Sequence, residues 1–324
     1  MGIGTAAGMS RGRLKVAAGI ACVALAAVSF GSLGTATALA VKAGVSPLLF
    51  ATVRAAGGAA ILLILSAAMG ERASLPRGER LSFAVLVGAG VAVAVGLTTA
   101  YSMAPVALVS GVFYLYPALV ALIASRLREE RLGWAGLAGV AAIVAGVLLL
   151  AAGQAGAGAA VAPAGVALAA MAAVSQAAYF RAGARVRSMP PFMLAGAILA
   201  AGAAVTLPAA ILTGGAGTLD VVSRPAAAAP LLWSATVTAA LAMTALLVGI
   251  RLVGPTRSAV VMLGEPVTNA LAGAAILGQP LPPQALGGIA LLLAGAARVV
   301  SRKAPAAEFD APAGSAAGVL PFAD

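Results

Sequence analysis

Residues 105–152 read PVALVSGVFYLYPALVALIASRLREERLGWAGLAGVAAIVAGVLLLAA. Two apolar runs, each about twenty residues long, flank one tight cluster of charge at 126–131. In a helix, twenty apolar residues cover about 30 Å, which is the hydrocarbon thickness of a bilayer. The stretch therefore predicts two membrane-crossing helices joined by a short polar loop. The whole chain follows the same plan: it is 62% hydrophobic and 9% charged, and its mean hydropathy is +1.07. A soluble domain of 324 residues leaves too much surface facing water to hide that much apolar area. An all-α membrane protein is the fold class these numbers allow.

Working outward from the quoted stretch, ten membrane-crossing helices are predicted, over 16–40, 46–69, 81–103, 105–125, 132–152, 162–182, 190–213, 229–251, 257–277 and 283–301. The third and fourth touch, as do the eighth and ninth. Pro105 and Pro255 mark these joints, because proline pushes the residue before it out of helical geometry. Residues 1–13 form a short N-terminal segment. Residues 304–324, rich in Ala, Pro and Gly with scattered acids, read as a disordered tail. The apolar stretch from Val16 to Val41 exceeds the ~7–15 residues of a signal-peptide core, so a retained first helix is expected. Trp134 and Trp233 fall at predicted span ends, where an indole prefers the membrane interface.

The basic residues give an orientation. Placing the N-terminus inside puts seventeen of the twenty Lys and Arg residues on cytoplasmic segments. Lys42 and Arg224 fall outside, and Arg54 lies within the second span. A bias this lopsided is the positive-inside signature, and one missing helix would reverse every later cluster. Both termini are then cytoplasmic, and the expected location is the cell inner (plasma) membrane. The formal net charge of +11 is topology signal, with attraction to anionic lipid headgroups, and calls for no nucleic acid.

The chain also repeats itself. At an offset of 149, Pro117 falls on Pro266, Gly139 on Gly288 and Gly146 on Gly295, without gaps. Each half then holds five spans, and an odd number makes the second half enter the membrane from the opposite side. The charges agree with inversion. The loop Arg126–Arg131 is highly charged, whereas its partner, Leu277–Pro282, carries none. Conversely, the loop after the first span holds only Lys42, while its partner holds Arg181, Arg185 and Arg187. Inverted five-plus-five repeats are a plan of secondary transporters, with the substrate site near the midplane between the halves.

Several segments carry a resemblance. They are Ala27-Val28-Ser29-Phe30-Gly31-Ser32, the run from Ser46 to Arg54, Leu263-Gly264-Glu265-Pro266-Val267, and Leu277-Gly278-Gln279-Pro280-Leu281. In their order across two halves, residues 14–152 and 162–301 resemble EamA domains of the drug/metabolite transporter superfamily. Gln279 stands where the family often has Glu, and Tyr116 takes the place of Glu265 in the first half. The resemblance implies a ten-helix inner-membrane carrier, often an exporter of small metabolites or amino acids. It does not carry a substrate with it.

Candidate site residues follow from cost. Glu265 is the one acidic residue placed deep inside a predicted span, where a charge costs ~2.5–3.5 kcal/mol and usually faces a cavity or a partner. It is a candidate for substrate binding and for proton coupling, and a buried structural acid is the competing reading. Asn269 lies one turn away on the same helical face. Phe113 and Tyr116 occupy the corresponding face of the fourth span. Gln176 and Tyr179 on the sixth span and Ser29 on the first are further polar candidates. Pro117 and Pro266 are candidate hinges, since proline removes a backbone donor. Arg54, about two turns from the end of its helix, is expected to snorkel to the interface, with an anion site as the alternative. Gly133, Gly136 and Gly139, and Gly31 with Gly34, predict close helix packing.

What is missing narrows the function. Without histidine, His-based catalysis and zinc sites are excluded. Cys22 alone makes neither an intramolecular disulfide nor a cluster. There is no phosphate-binding Gly-Lys-Ser/Thr loop, so no ATP-driven step and no cofactor is expected. No convergent ionisable set suggests an enzyme. The expected function is a gradient-driven carrier, an exporter of small metabolites such as amino acids or amphipathic amines, working by alternating access. A lipid-linked-sugar or lipid flippase of related fold is the alternative. Expected partners are the small-molecule substrate and membrane lipids, and a homodimer is left open.

Overall fold

The computed structural model describes residues 3–104, 106–127, 134–154, 162–214 and 220–300. The predicted joint at Pro105, most of the charged loop (128–131) and the tail (304–324) lie outside the described residues. The first half comprises α1 (Ile3–Gly31), α2 (Leu33–Lys42), α3 (Pro47–Ala68), α4 (Arg80–Met103), α5 (Val106–Phe113), α6 (Tyr116–Arg126) and α7 (Trp134–Gln154). The second comprises α8 (Pro163–Arg185), α9 (Pro191–Gly214), α10 (Pro225–Trp233), α11 (Ala242–Val253), α12 (Pro255–Val261), α13 (Gly264–Leu277) and α14 (Pro283–Val300). A π-helical stretch, Ser234–Leu241, joins α10 to α11. No strand occurs among the described residues.

Proline sets many of the helix starts. Pro47, Pro163, Pro225 and Pro255 occupy first-turn positions, where the missing N–H costs nothing. Ser46 caps α3 by accepting from the Leu49 amide at 3.3 Å. Gly254, with φ at +83°, ends α11 and turns the chain straight into α12, which is the joint predicted at Pro255.

Among the described residues, eight helical stretches are long and apolar enough to cross a membrane. The predicted fifth and tenth spans correspond to α7 and α14, whose described apolar stretches are shorter, Ala138–Leu150 and Pro283–Gly295. The first crossing stretch runs Gly12–Lys42 and contains the expected 16–40; its helix starts earlier, at Ile3, and breaks at Ser32, a break not expected from the sequence. There the Ser32 hydroxyl donates to the Ser29 carbonyl at 2.7 Å, competing with the helical backbone ladder. Trp233 Nε1 donates to the same hydroxyl oxygen at 2.9 Å, so the break is tied to span eight.

The two halves interlock along their lengths. α1 packs on α11, α3 on α9, α4 on α8 and α7 on α14. Close approaches give the directions: Gly19 faces Val253 while Gly249 faces Val23, and Gly90 faces Tyr179 while Gly165 faces Met103. These pairs are antiparallel. Replacing each span by the one five places later returns the same set of pairs, α4 on α8 becoming α11 on α1. The α7–α14 seam is reciprocal. A Cβ on Gly146 would lie 2.8 Å from the Gly288 carbonyl oxygen, and one on Gly295 would lie 2.8 Å from the Gly139 carbonyl oxygen. Only glycine fits such backbone-on-backbone contact.

The arginine-rich end carries a polar tie between the halves. Glu79 Oε2 accepts from the backbone amides of Arg187 and Ser188, each at 3.1 Å. The Ser188 hydroxyl is shared between Glu79 Oε2 at 2.6 Å and the Ser74 carbonyl at 2.8 Å. Beside it, Arg251 Nη2 donates to the Met189 carbonyl at 2.8 Å. The opposite end carries an apolar cluster of Ala36, Ala40, Val45, Leu49 and Phe50 against Ala227 and Leu231.

Candidate functional site

Spans four and nine are each broken near their middle. In span nine, α12 ends at Val261 and α13 begins at Gly264; in span four, α5 ends at Phe113 and α6 begins at Tyr116. Both joints are tight turns: the Leu263 amide bonds the Val260 carbonyl at 3.1 Å, and the Leu115 amide bonds the Val112 carbonyl at 3.3 Å. Pro266 and Pro117 sit in the first turns of the helices that follow, where a donor is not needed. The prolines therefore restart helices after a break; they do not kink continuous ones. α6 and α12 pack on each other, which brings the two broken spans together.

Glu265 stands in the first turn of α13, where the helix dipole favours a negative charge. It is half-buried. Its carboxylate accepts a hydrogen bond from the Tyr114 hydroxyl, and Tyr114 belongs to the break in span four. Farther along, Tyr101 and Ser110 share a hydrogen bond at 3.2 Å, and Tyr101 is 38% exposed. Tyr101, Tyr114 and Tyr116 all lie within the electrostatic reach of Glu265.

Arg54 does not snorkel. It lies about 10 Å into α3, counting from Pro47. Its Nη1 donates at 3.1 Å to the carbonyl of Thr238, which lies about 20 Å into span eight counted from Pro225 at the same end. The side chain therefore turns toward the membrane midplane. The partner carbonyl belongs to the π-helical stretch, whose wide turns disturb the regular ladder and are frequent at functional sites. Arg54 and Glu265 are within electrostatic reach of each other.

The other predicted residues fall into two groups. Asn269 and Gln176 are half-buried. Asn269 packs over Gly34 of α2, and Gly31 of α1 packs over the Glu265 carbonyl. Ser29, two residues earlier on α1, is 4% exposed. Phe113, Tyr116 and Tyr179 are buried in the largest core cluster. Tyr116 stacks on Phe180 with ring centroids 5.4 Å apart, and Tyr179 donates to Met243 Sδ at 2.8 Å. The Tyr116 hydroxyl is buried without a partner. Sequence reasoning missed Tyr114, Tyr101, Ser110 and Thr238. A continuous helical face through Phe113, Tyr116 and Val120 skips Tyr114, and the break at Tyr114-Leu115 shifts that phase.

Comparison with known proteins agrees with this architecture. The description "EamA-like transporter family" matches residues 17–152 and again residues 163–301. One solved structure, described as "Crystal structure of protein", is similar in fold, with a TM-score of 0.73 and 22% identity over 87% of this chain and 96% of that one. No curated protein matches the sequence. Two consecutive matches spanning most of the chain, together with its apolar helices, establish that it belongs to the EamA-like transporter family and is a multi-pass membrane transporter of the drug/metabolite type.

Proposed function

We propose that this chain is a gradient-driven carrier that exports small metabolites, amino acids or amphipathic amines, across the cell inner membrane. Ten crossings form two inverted five-helix halves, residues 14–152 and 162–301, with both termini cytoplasmic. The antiparallel, reciprocal α7–α14 seam supports the inversion, since a two-fold axis lying across the helices relates its glycines. One observation carries the functional reading: Glu265, at the break in one half, is hydrogen-bonded to Tyr114 at the equivalent break in the other. A carboxyl group shared between halves can bind an ammonium or a proton, and rocking of the halves would present it to each side in turn.

In this reading Glu265 binds the substrate cation and couples transport. Asn269, Gln176 and Ser29 supply neutral polar contacts. Phe113, Tyr116 and Tyr179 form the aromatic wall, and Pro117 and Pro266 mark the hinges. The test is flux of a labelled metabolite mixture through purified protein in liposomes under an imposed pH gradient. Flux is expected in the wild type, at least tenfold less in Glu265→Gln, and with a flattened pH dependence, because an amide takes up no proton. Full flux of that variant at every pH would remove Glu265 from the mechanism.

A further inference from the structure

The segment Arg187–Met189, between α8 and α9, is held from two sides. On one side Glu79, the residue before α4, uses a single carboxylate oxygen to accept from the amides of Arg187 and Ser188 at 3.1 Å and from the Ser188 hydroxyl at 2.6 Å. On the other, Arg251 in the last turn of α11 donates from Nη2 to the Met189 carbonyl at 2.8 Å. Glu79 adjoins the α4–α8 pair and Arg251 the α1–α11 pair, so this short strap joins two helix pairs at the arginine-rich end. Behind it the same two pairs meet through apolar side chains. A Cβ on Gly183 of α8 would lie 3.6 Å from Leu86 of α4 and from Leu247 of α11, and 3.7 Å from Ile250. Leu86, Leu247 and Ile250 are all buried. Leu86 is seven residues beyond Glu79, which puts this dry layer about 10 Å inside the strap.

Such a joint differs in kind from the seams that hold the helix pairs together. Those seams rest on glycine and backbone contact, as between Gly146 and Gly288. The strap rests on hydrogen bonds at an end where Glu79 is half-buried and Arg187 exposed, and there water replaces a lost partner at small net cost. The exchange of halves carries the strap onto the loop Ala43–Val45 at the opposite end. That loop is covered differently: a Cβ on Gly44 would lie 2.9 Å from Arg224 Nη1 and 3.8 Å from the Val221 side chain. Two ends joined by unlike contacts do not open at equal cost.

We propose that the strap Arg187–Met189, clamped by Glu79 and Arg251, is the latch of the arginine-rich end and biases the resting carrier toward the conformation shut there. The inference rests on the reading of the chain as an alternating-access carrier, and it adds which end is held and by which residues. The two clamps act in series, because cutting either one frees the strap from one helix pair. Loss of both therefore releases little more than loss of one.

The test is labelling of the full chain in nanodiscs by a small cationic methanethiosulfonate reagent, with Cys22→Ser removing the native thiol. Leu86→Cys reports on the layer behind the strap, and Ile143→Cys, buried on the α7–α14 seam, reports on general loosening. Glu79→Ala and Arg251→Ala are each expected to speed labelling at Leu86→Cys at least fivefold and to leave Ile143→Cys within about twofold. Ser188→Ala removes only a hydroxyl and is expected to give at least a twofold rise, which keeps the latch readable if a larger change does not fold. Unchanged labelling at Leu86→Cys in all three variants would overturn the latch, as would an equal rise at both reporters. A double variant that labels at the product of the two single increases would overturn the series arrangement. Wild-type flux in liposomes separates the two readings. Flux with unchanged labelling strikes the latch and leaves the carrier, whereas a selective rise at Leu86→Cys without flux of any metabolite strikes the carrier and leaves the latch.

Discussion

Tyr114 and Tyr116 lie two residues apart, and their hydroxyls meet different surroundings. The Tyr114 hydroxyl serves the Glu265 carboxylate, whereas the Tyr116 hydroxyl is buried and unpaired. A hydrogen bond to a charged group contributes about 1.5–3 kcal/mol, so Tyr114→Phe should lower liposome flux roughly tenfold or more while keeping the ring. An unpaired buried hydroxyl costs about 1–3 kcal/mol, and a native site retains one where function requires it. Tyr116→Phe should therefore raise the midpoint of thermal unfolding by roughly 2 °C and still lower flux, a trade of activity for stability. Unchanged flux in Tyr116→Phe would make the residue pure packing. Glu265 was legible in the sequence because an acid inside an apolar run is costly wherever the chain folds. Arg54 was legible as an embedded charge but not in its direction, which depends on a carbonyl 184 residues away.

At the scale of elements, spans were readable because about twenty apolar residues between charge clusters admit few alternatives. Interruptions within spans were less so. The breaks at Leu115 and Leu263 follow from Pro117 and Pro266, which the sequence displays, but the break at Ser32 depends on a hydroxyl reaching its own backbone. The π-helical stretch from Ser234 has no residue signal, since Ala, Thr and Leu suit an α-helix as well. The glycine seam can be tested directly. A Cβ on Gly288 would lie 2.5 Å from the Leu150 backbone nitrogen, so Gly288→Leu should cost about 3 kcal/mol or more and abolish folded protein in size-exclusion chromatography. Gly88, with nothing within 4 Å of its would-be Cβ, should tolerate alanine without loss of yield. The Glu79 tie makes a separate prediction. Glu79→Ala removes the acceptor for two backbone amides and one hydroxyl, so deuterium uptake over 186–190 should rise well above wild type.

Across the whole molecule, the exchange of halves organises the packing, and the proposed topology assigns its faces. Single cysteines at Lys42 and Ser223 should react with an impermeant maleimide from outside intact cells, and one at Arg185 should react only after permeabilisation. The same label at all three without permeabilisation would exclude the orientation. That two halves exist was legible from an offset of 149 in Pro and Gly. How they touch was not, because the contacts of a two-fold arrangement pair each residue with the counterpart of another. The wide coil at Ser234–Leu241 has a mechanical consequence for the assembled protein. Its bonds reach one residue farther than those of an α-helix, so rewinding it would turn everything above it about the helix axis. Ala227 and Leu231, seated in the apolar cluster at that end, would swivel with it, and Thr238 would let go of Arg54. Under the proposed alternating access, span eight would then act as a torsion spring, with the Arg54 guanidinium as its catch.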